Sequence, residues 1–249
     1  MEVPYYQTFG DKTNPALLLL HSGGMCGVEW KNQIEEFKKR YFLLIPDLPG
    51  HGKTLLNGKE FKISTLAEAA ISLLEVEKID RTAICGSSLG AATAMYISLK
   101  YKEKIAAAIF FRMSYRKNIG AYQQTCKMAE PEYWKKYGMH KWLSEIHEPQ
   151  GGKNAWEEVI KRVQKSLNPE ITEHNHKLED FQNIDFPVLI ISGDRDPVSP
   201  LEDAIALHNT IKTSSLWIMP DTDHITATNT WRSDIFSTEI MRFLRSKYY

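Results

Sequence analysis

Arg81-Thr82-Ala83-Ile84-Cys85-Gly86-Ser87-Ser88-Leu89-Gly90-Ala91-Ala92-Thr93-Ala94-Met95-Tyr96-Ile97-Ser98-Leu99 is the stretch whose reading decides the architecture. Its first five residues are short, mostly apolar and strand-like, and its last nine are small-residue-rich and helix-compatible. Between them stands G-x-S-x-G, Gly86 to Gly90. A serine at a strand-to-helix junction, with glycine two residues to either side, is the arrangement called a nucleophile elbow. The turn is so tight that only glycine leaves room for the crowded backbone. The Ser88 hydroxyl then projects from the sheet edge, and the first amides of the following helix point at the same spot. Glycine and serine are common, so the pattern gains its weight from the strand and helix around it.

Outward from the elbow, short apolar runs alternate with amphipathic stretches, as in a mainly parallel sheet covered by helices on both faces. Ala16 to Leu20 reads as a buried strand, Trp30 to Lys39 as a helix and Tyr41 to Ile45 as a strand. Pro46-Asp47-Leu48-Pro49-Gly50-His51-Gly52 is turn chemistry. Thr65-x-x-Glu68 reads as a capping box opening a helix through about Lys78. Ile105 to Phe111 supplies the strand after the elbow helix. The alternation then stops. Residues 114–185 hold no convincing buried strand; they are rich in Trp, Tyr, Lys and Glu and are broken by Pro131, Pro149, Gly151-Gly152 and Pro169. An unstructured loop of this length does not belong inside a compact domain, so the segment reads as a helical lid or cap inserted into a core formed by 1–113 and 186–249. Strand pattern resumes at Pro187 to Gly193. A helix over Leu201 to Lys212, a strand over Ser215 to Met219 and a last helix ending near Arg245 complete the chain.

Bulk composition excludes several classes. A chain of 249 residues can bury a large core as one domain. Lys plus Arg and Asp plus Glu both number 31, so no net field draws the chain to nucleic acid or to an anionic membrane surface. Cys26, Cys85 and Cys126 are an odd, scattered set, which argues against a disulfide framework and for a reducing compartment. Met1 to Tyr5 shows no basic stretch leading into an apolar one, and the apolar runs are too short to cross a bilayer. The expected location is the cytoplasm. The His and Cys residues show no metal-ligand spacing, and no glycine-rich nucleotide loop is present, so neither metal nor cofactor is expected.

A serine hydroxyl becomes a competent nucleophile when a positioned base takes its proton and an acid orients that base. Gly193-Asp194-Arg195-Asp196-Pro197 follows one expected strand and Asp221-Thr222-Asp223-His224 follows the next. Both therefore sit at the carboxyl edge of the sheet, where sites of open α/β sheets form. The chain order Ser, Asp, His suits this architecture.

These residues resemble the α/β-hydrolase fold superfamily, and the similarity runs through nearly the whole chain. It rests on His21-Ser22-Gly23-Gly24 after the first buried strand, on Asp47-Leu48-Pro49-Gly50-His51-Gly52, on the elbow, on Gly193-x-x-Asp196 and on His224. The resemblance implies oxyanion-hole donors at the backbone amides of Gly23 and Leu89, and it favours Asp196 over Asp194 as the acid. Two positions depart from the family pattern. Ser22 replaces a usual glycine, and Asp223 stands where glycine usually precedes the histidine. His21 and His51 read as loop-holding residues, His174 and His176 as solvated positions, and Cys26 as a quiet buried thiol. Gly24 and Arg112 are candidate substrate-binding positions; for Arg112 an ordinary ion pair is the competing reading. Most of the insertion's aromatics are expected in its own core.

The function expected from this reading is hydrolysis of a small-molecule ester or thioester by a Ser88–His224–Asp196 triad through an acyl-enzyme, in a monomer or homodimer. Relatives that use the same triad for carbon–carbon hydrolysis, perhydrolysis or a menaquinone-pathway lyase step supply the alternative. A ligand receptor built on the same scaffold is the reading from another class.

Overall fold

In a computed structural model, residues 3–225 and 232–247 are described. The expectations resting on Met1 and Glu2, and the outer limits of the two core segments, lie outside them. Among the described residues seven strands form one sheet: β1 (Tyr6–Phe9), β2 (Ala16–Leu20), β3 (Phe42–Pro46), β4 (Thr82–Ser87), β5 (Ile105–Phe111), β6 (Val188–Gly193) and β7 (Ser214–Met219), in the order β1-β3-β2-β4-β5-β6-β7. Only β1 is antiparallel, pairing Tyr6 with Pro46 through Phe9 with Leu43 on β3. The remaining pairs are parallel.

The apolar runs are continuous because both faces of each inner strand are covered. Along β2 the side chains alternate between two cores. Leu18 and Leu20 join Leu44, Ile84, Phe110 and Ile190 on one face, and Leu17 and Leu19 join Leu43, Cys85, Ile109 and Ile191 on the other. Helices α2 (Ile63–Val76), α3 (Leu89–Lys100) and α8 (Leu201–Thr210) cover the first face. Helix α1 (Lys31–Phe37) and α9 (Ser233–Lys247) cover the second, with Phe37, Phe236, Ile240 and Phe243 fully or almost fully buried. Between β5 and β6 come α4 (Ile119–Met128), α5 (Pro131–Lys136), α6 (His140–His147) and α7 (Ala155–Ser166). Trp134, Leu143, Trp156 and Ile160 from these helices make a third, separate apolar cluster.

After β2 the chain moves outward to β3, then crosses back to β4 and proceeds the other way. The strand order therefore reverses between β2 and β4, the position at which open α/β sheets leave a crevice at their carboxyl ends. Gly23 follows β2 and Ser88 follows β4, so both border that crevice.

Two expectations are corrected by the elements themselves. Residues Tyr6–Phe9 form a strand that the sequence reading passed over, since four half-exposed residues carry no clear period. The capping box at Thr65-x-x-Glu68 is absent: α2 begins at Ile63, with Thr65 inside its first turn. The cap is tertiary. Glu173, beyond α7, accepts the Ser64 amide at 2.7 Å and the Ser64 hydroxyl at 2.9 Å, placing a carboxylate on the positive end of α2. Replacing Glu173 by Ala is expected to cost about 1 kcal/mol, the usual value of a lost helix cap. Urea unfolding of the two proteins side by side measures it, and an unchanged midpoint would remove the capping role.

Candidate active site

Ser88 takes φ +52° and ψ −114°, a conformation costing a non-glycine residue about 1–3 kcal/mol. The fold holds it there from both sides. Its amide donates to the Phe111 carbonyl at the end of β5 (3.0 Å), and its carbonyl accepts from Ala92 in the first turn of α3 (2.9 Å). The two glycines are there because backbone crowds them. A Cβ on Gly86 would lie 2.2 Å from the Gly90 carbonyl oxygen, and one on Gly90 would lie 2.2 Å from that of Leu20.

The structure brings Ser88, His224 and Asp196 together. Ser88 Oγ lies 2.9 Å from His224 Nε2, and His224 Nδ1 lies 2.8 Å from Asp196 Oδ2. His224 and Asp196 are buried, Ser88 half-buried. The other oxygen of Asp196 accepts the amides of Val198 (2.8 Å) and Ser199 (3.0 Å). Burial opposes ionisation of this carboxyl, but His224 and the two amides outweigh it and hold its pKa below the usual range. The buried Lys117 amine shares these surroundings; burial brings it down to about 8, against the opposing pull of Asp196. Asp194 instead accepts the Thr222 amide at 3.1 Å, and Arg195 pairs with Asp221. Hydroxyl, imidazole and buried carboxylate in series can pass the hydroxyl proton to the imidazole.

Gly23 and Leu89 sit side by side: a Cβ on Gly23 would lie 3.4 Å from that of Leu89. Among the described residues neither amide donates to a protein acceptor. A cavity of about 40 Å³ lies over Ser88. Gly23, Met128, Trp134, Ile160, Val163 and Leu167 line it with Ser88 and His224, and none of its described lining residues is Lys, Arg, Asp or Glu. A roomier cleft of about 410 Å³ opens between the residues before α2 and the outer face of α7, but its lining includes none of Ser88, Asp196 and His224.

Gly24 and Arg112 do not serve the cavity as expected. Gly24 donates its amide to His51 Nε2 (3.2 Å) and accepts from His147 Nε2 (2.9 Å), so both its backbone groups are taken by side chains outside the cavity lining. Arg112 is buried in an ion pair with Glu29 at 2.8 Å, with side chains 8 % and 4 % exposed. Its remaining bonds go to Ser87, Ser22 and the His224 carbonyl. Backbone conformation explains the misreading: at Arg112 φ is +49°, so the strand's alternation does not carry through it. Arg116 pairs with Asp203 at 3.3 Å. Ser22 places its hydroxyl 2.7 Å from Glu29, and Asp223 is exposed, accepting the Ile225 amide at 2.9 Å.

The histidines divide differently from the sequence reading. His21 Nε2 accepts the Leu48 amide (2.8 Å) while Nδ1 meets the Ser22 carbonyl (2.8 Å). His51 Nδ1 meets the Pro49 carbonyl at 3.3 Å. His147, in α6, accepts the Gly52 amide at Nδ1 (3.1 Å), besides donating to Gly24. Each ring thus holds one accepting and one donating nitrogen, which only neutral imidazole provides. Burial lowers all three pKa values, that of His147 to about 4. His174 is fully buried rather than solvated, its Nε2 against the Ser114 carbonyl at 2.7 Å, and His176 is partly buried beside it. Cys26 is buried, its thiol pushed up to about 12 by burial and then by Asp47. Glu29 and His147 escaped the sequence reading; a charged residue between apolar Val28 and Trp30 was the only local trace of the first.

Comparison with known proteins bears on the fold. A family model described as alpha/beta hydrolase fold matches residues 15–112. The chain is 25% identical over 242 residues to 3-oxoadipate enol-lactonase 2 of Acinetobacter baylyi, covering 88% of this chain and 85% of that protein. Among solved structures, an enol-lactonase from Burkholderia xenovorans superimposes with TM-score 0.75 at 20% identity, over 97% of this chain and 96% of the other. A meta-cleavage product hydrolase from Pseudomonas fluorescens does so with TM-score 0.76 at 18% identity, over 97% and 93%. Elbow, sheet order and matched segment coincide: the chain has the α/β-hydrolase fold.

Proposed function

We propose that the chain is a cofactor-independent serine hydrolase of small, uncharged esters or thioesters, with residues 114–185 as its lid. The observation that carries the reading is the unbroken series Ser88 Oγ, His224, Asp196 at 2.9 Å and 2.8 Å. In this reading His224 Nε2 takes the Ser88 proton as Oγ attacks the acyl carbon. The amides of Gly23 and Leu89 receive the oxyanion, a contribution of roughly a hundredfold to a thousandfold in rate per donor. Protonated His224, steadied by Asp196, returns the proton to the leaving alkoxide or thiolate. Water, activated by the same imidazole, then hydrolyses the acyl-enzyme.

The substrate class follows from the cavity wall. An anionic group would lose its hydration there without meeting a partner, because the described lining offers no cation. Residues 226–231, next to His224 in sequence, add no ionisable side chain. The long similarity to an enol-lactonase supports hydrolysis of an ester bond but not the uncharged class, because a lactone derived from a dicarboxylate such as 3-oxoadipate keeps one carboxylate. The lyase alternative gains little from Arg112, whose guanidinium is engaged with Glu29. Likeness to the meta-cleavage product hydrolase extends to the fold alone.

A serine-directed fluorophosphonate should label the wild type and not Ser88→Ala, and the substitution should lower kcat on p-nitrophenyl acetate by about four to six orders of magnitude. Well-folded wild type that neither labels nor turns over any ester would end the hydrolase reading. p-Nitrophenyl butyrate should be cleaved at least about tenfold faster than p-nitrophenyl hemisuccinate, the preference an unpaired buried charge imposes.

Closure of the lid rests partly on His147, whose neutral ring ties α6 to Gly24 and Gly52. Its folded pKa is depressed below the unfolded value, so the unfolded chain binds more protons between the two. The stabilisation is therefore complete above about pH 6.5 and falls away as pH drops towards about 4, by on the order of 3 kcal/mol. Unfolding measured from pH 7 to pH 4 should show this loss, and His147→Gln should flatten it; identical slopes in the two proteins would refute the role.

A further inference from the structure

Outside the cavity lining, the side chains of Ser22, Glu29, Ser87 and Arg112 meet with almost no solvent. Glu29 stands in the short helical turn Gly27–Trp30 and Arg112 directly follows β5. Glu29 Oε2 accepts the Ser22 amide at 2.6 Å and Oε1 accepts the Ser22 hydroxyl at 2.7 Å. One Arg112 nitrogen donates to both Ser22 Oγ (2.7 Å) and Glu29 Oε1 (2.8 Å), and Nε donates to Ser87 Oγ at 3.0 Å. The other terminal nitrogen donates to the main-chain carbonyl of His224. Beyond the bond between Glu29 and Arg112 themselves, the partners named here adjoin groups of the proposed chemistry. Ser22 precedes Gly23, Ser87 precedes Ser88, and the last carbonyl belongs to His224.

Stability alone does not call for such a pair. Removing two charges from water is costly, and apolar residues of similar volume in the same place are often as stable or more so. A planar fork, in contrast, fixes the end of β4 and the loops holding Ser22 and His224 relative to one another in a way apolar packing does not. Glu29 holds the Ser22 amide and hydroxyl, while the Ser22 carbonyl, in one peptide plane with the Gly23 amide, accepts from His21 Nδ1 (2.8 Å) and from the Met25 amide (3.1 Å), so the residue leading into that donor is fixed on both sides.

We propose that Glu29 and Arg112 form a positioning pair that sets the Gly23 amide, Ser88 and His224 in catalytic register. This rests on the reading of Ser88 as nucleophile. Neither residue lines the cavity, so both act through their neighbours. Displacements of about 1 Å at a reacting centre cost roughly a hundredfold in rate, which sets the scale of the effect.

Wild type is first shown to label with fluorophosphonate and to hydrolyse p-nitrophenyl acetate; failure there sinks the hydrolase reading and the pair's catalytic role with it, whereas success followed by an unaffected variant sinks the pair's role alone. The Glu29→Met/Arg112→Met double variant then removes both charges without stranding either. It should melt cooperatively near the wild-type temperature, with kcat and the rate of Ser88 phosphonylation each down about a hundredfold and KM within about threefold. A folded double variant retaining kcat within about threefold overturns the proposal. Should that protein not fold, Arg112→Lys decides: it keeps the charge beside Glu29 but loses the fork. A fall in kcat of at least about tenfold with an unchanged melting temperature is expected, and wild-type kcat refutes the pair's role.

Discussion

Backbone meeting backbone at the end of β4 is the constraint on which the site depends. Gly86 lies so close to the Gly90 carbonyl, and Gly90 to that of Leu20, that a single added carbon on either would sit at 2.2 Å. Helix α3 therefore starts against the ends of both β2 and β4. Its first amides and the Gly23 loop share one crevice, and Ser88 is driven into a backbone conformation that a free chain avoids. The strain is sustained by the surrounding fold, whose inner strands are packed on both faces of the sheet.

Around that crevice polar groups are buried in two different regimes. On one side Glu29 and Arg112 are charged and paired, and the hydrogen bonds they make are directional and plural. On the other, three imidazoles lie within 5.0 Å and 5.9 Å of each other, centroid to centroid, and all are neutral. Here burial decides the protonation state, and backbone amides and carbonyls decide the tautomer. Asp47 extends this second network by accepting the Gly27 and Lys53 amides, which fastens the loop after β3 to the loop after β2.

The sheet was legible because parallel strands covered on both faces write themselves as unbroken apolar runs, and Ala16 to Leu20 and Ile105 to Phe111 are such runs. Ser88, Asp196 and His224 were legible because each follows a strand, so one edge had to receive all three. What failed was direction and distance. Arg112 could be placed at a strand end but not aimed, since its left-handed backbone breaks the alternation. Its partner Glu29 lies 83 residues away in sequence. His174 stands among charged residues yet is buried against Ser114, 60 positions earlier. The cap on α2 comes from Glu173, 109 positions beyond Ser64. Local pattern is blind to each of these, because the interaction is created by the fold rather than by spacing.

The third apolar cluster carries a consequence for how such a chain can change. Trp134 and Ile160, which wall the cavity, belong to the small core of α5, α6 and α7, not to either face of the sheet. A substitution there disturbs a few neighbours in one compact unit, while the strands that hold Ser88, Asp196 and His224 keep their packing. The wall made by Trp134 and Ile160 is thus a part that drift and selection can alter with little effect on the sheet, unlike Val163 and Leu167, which pack on the sheet's own core. Two descendants of this chain could diverge in the shape of that cavity while remaining superimposable in how they are built.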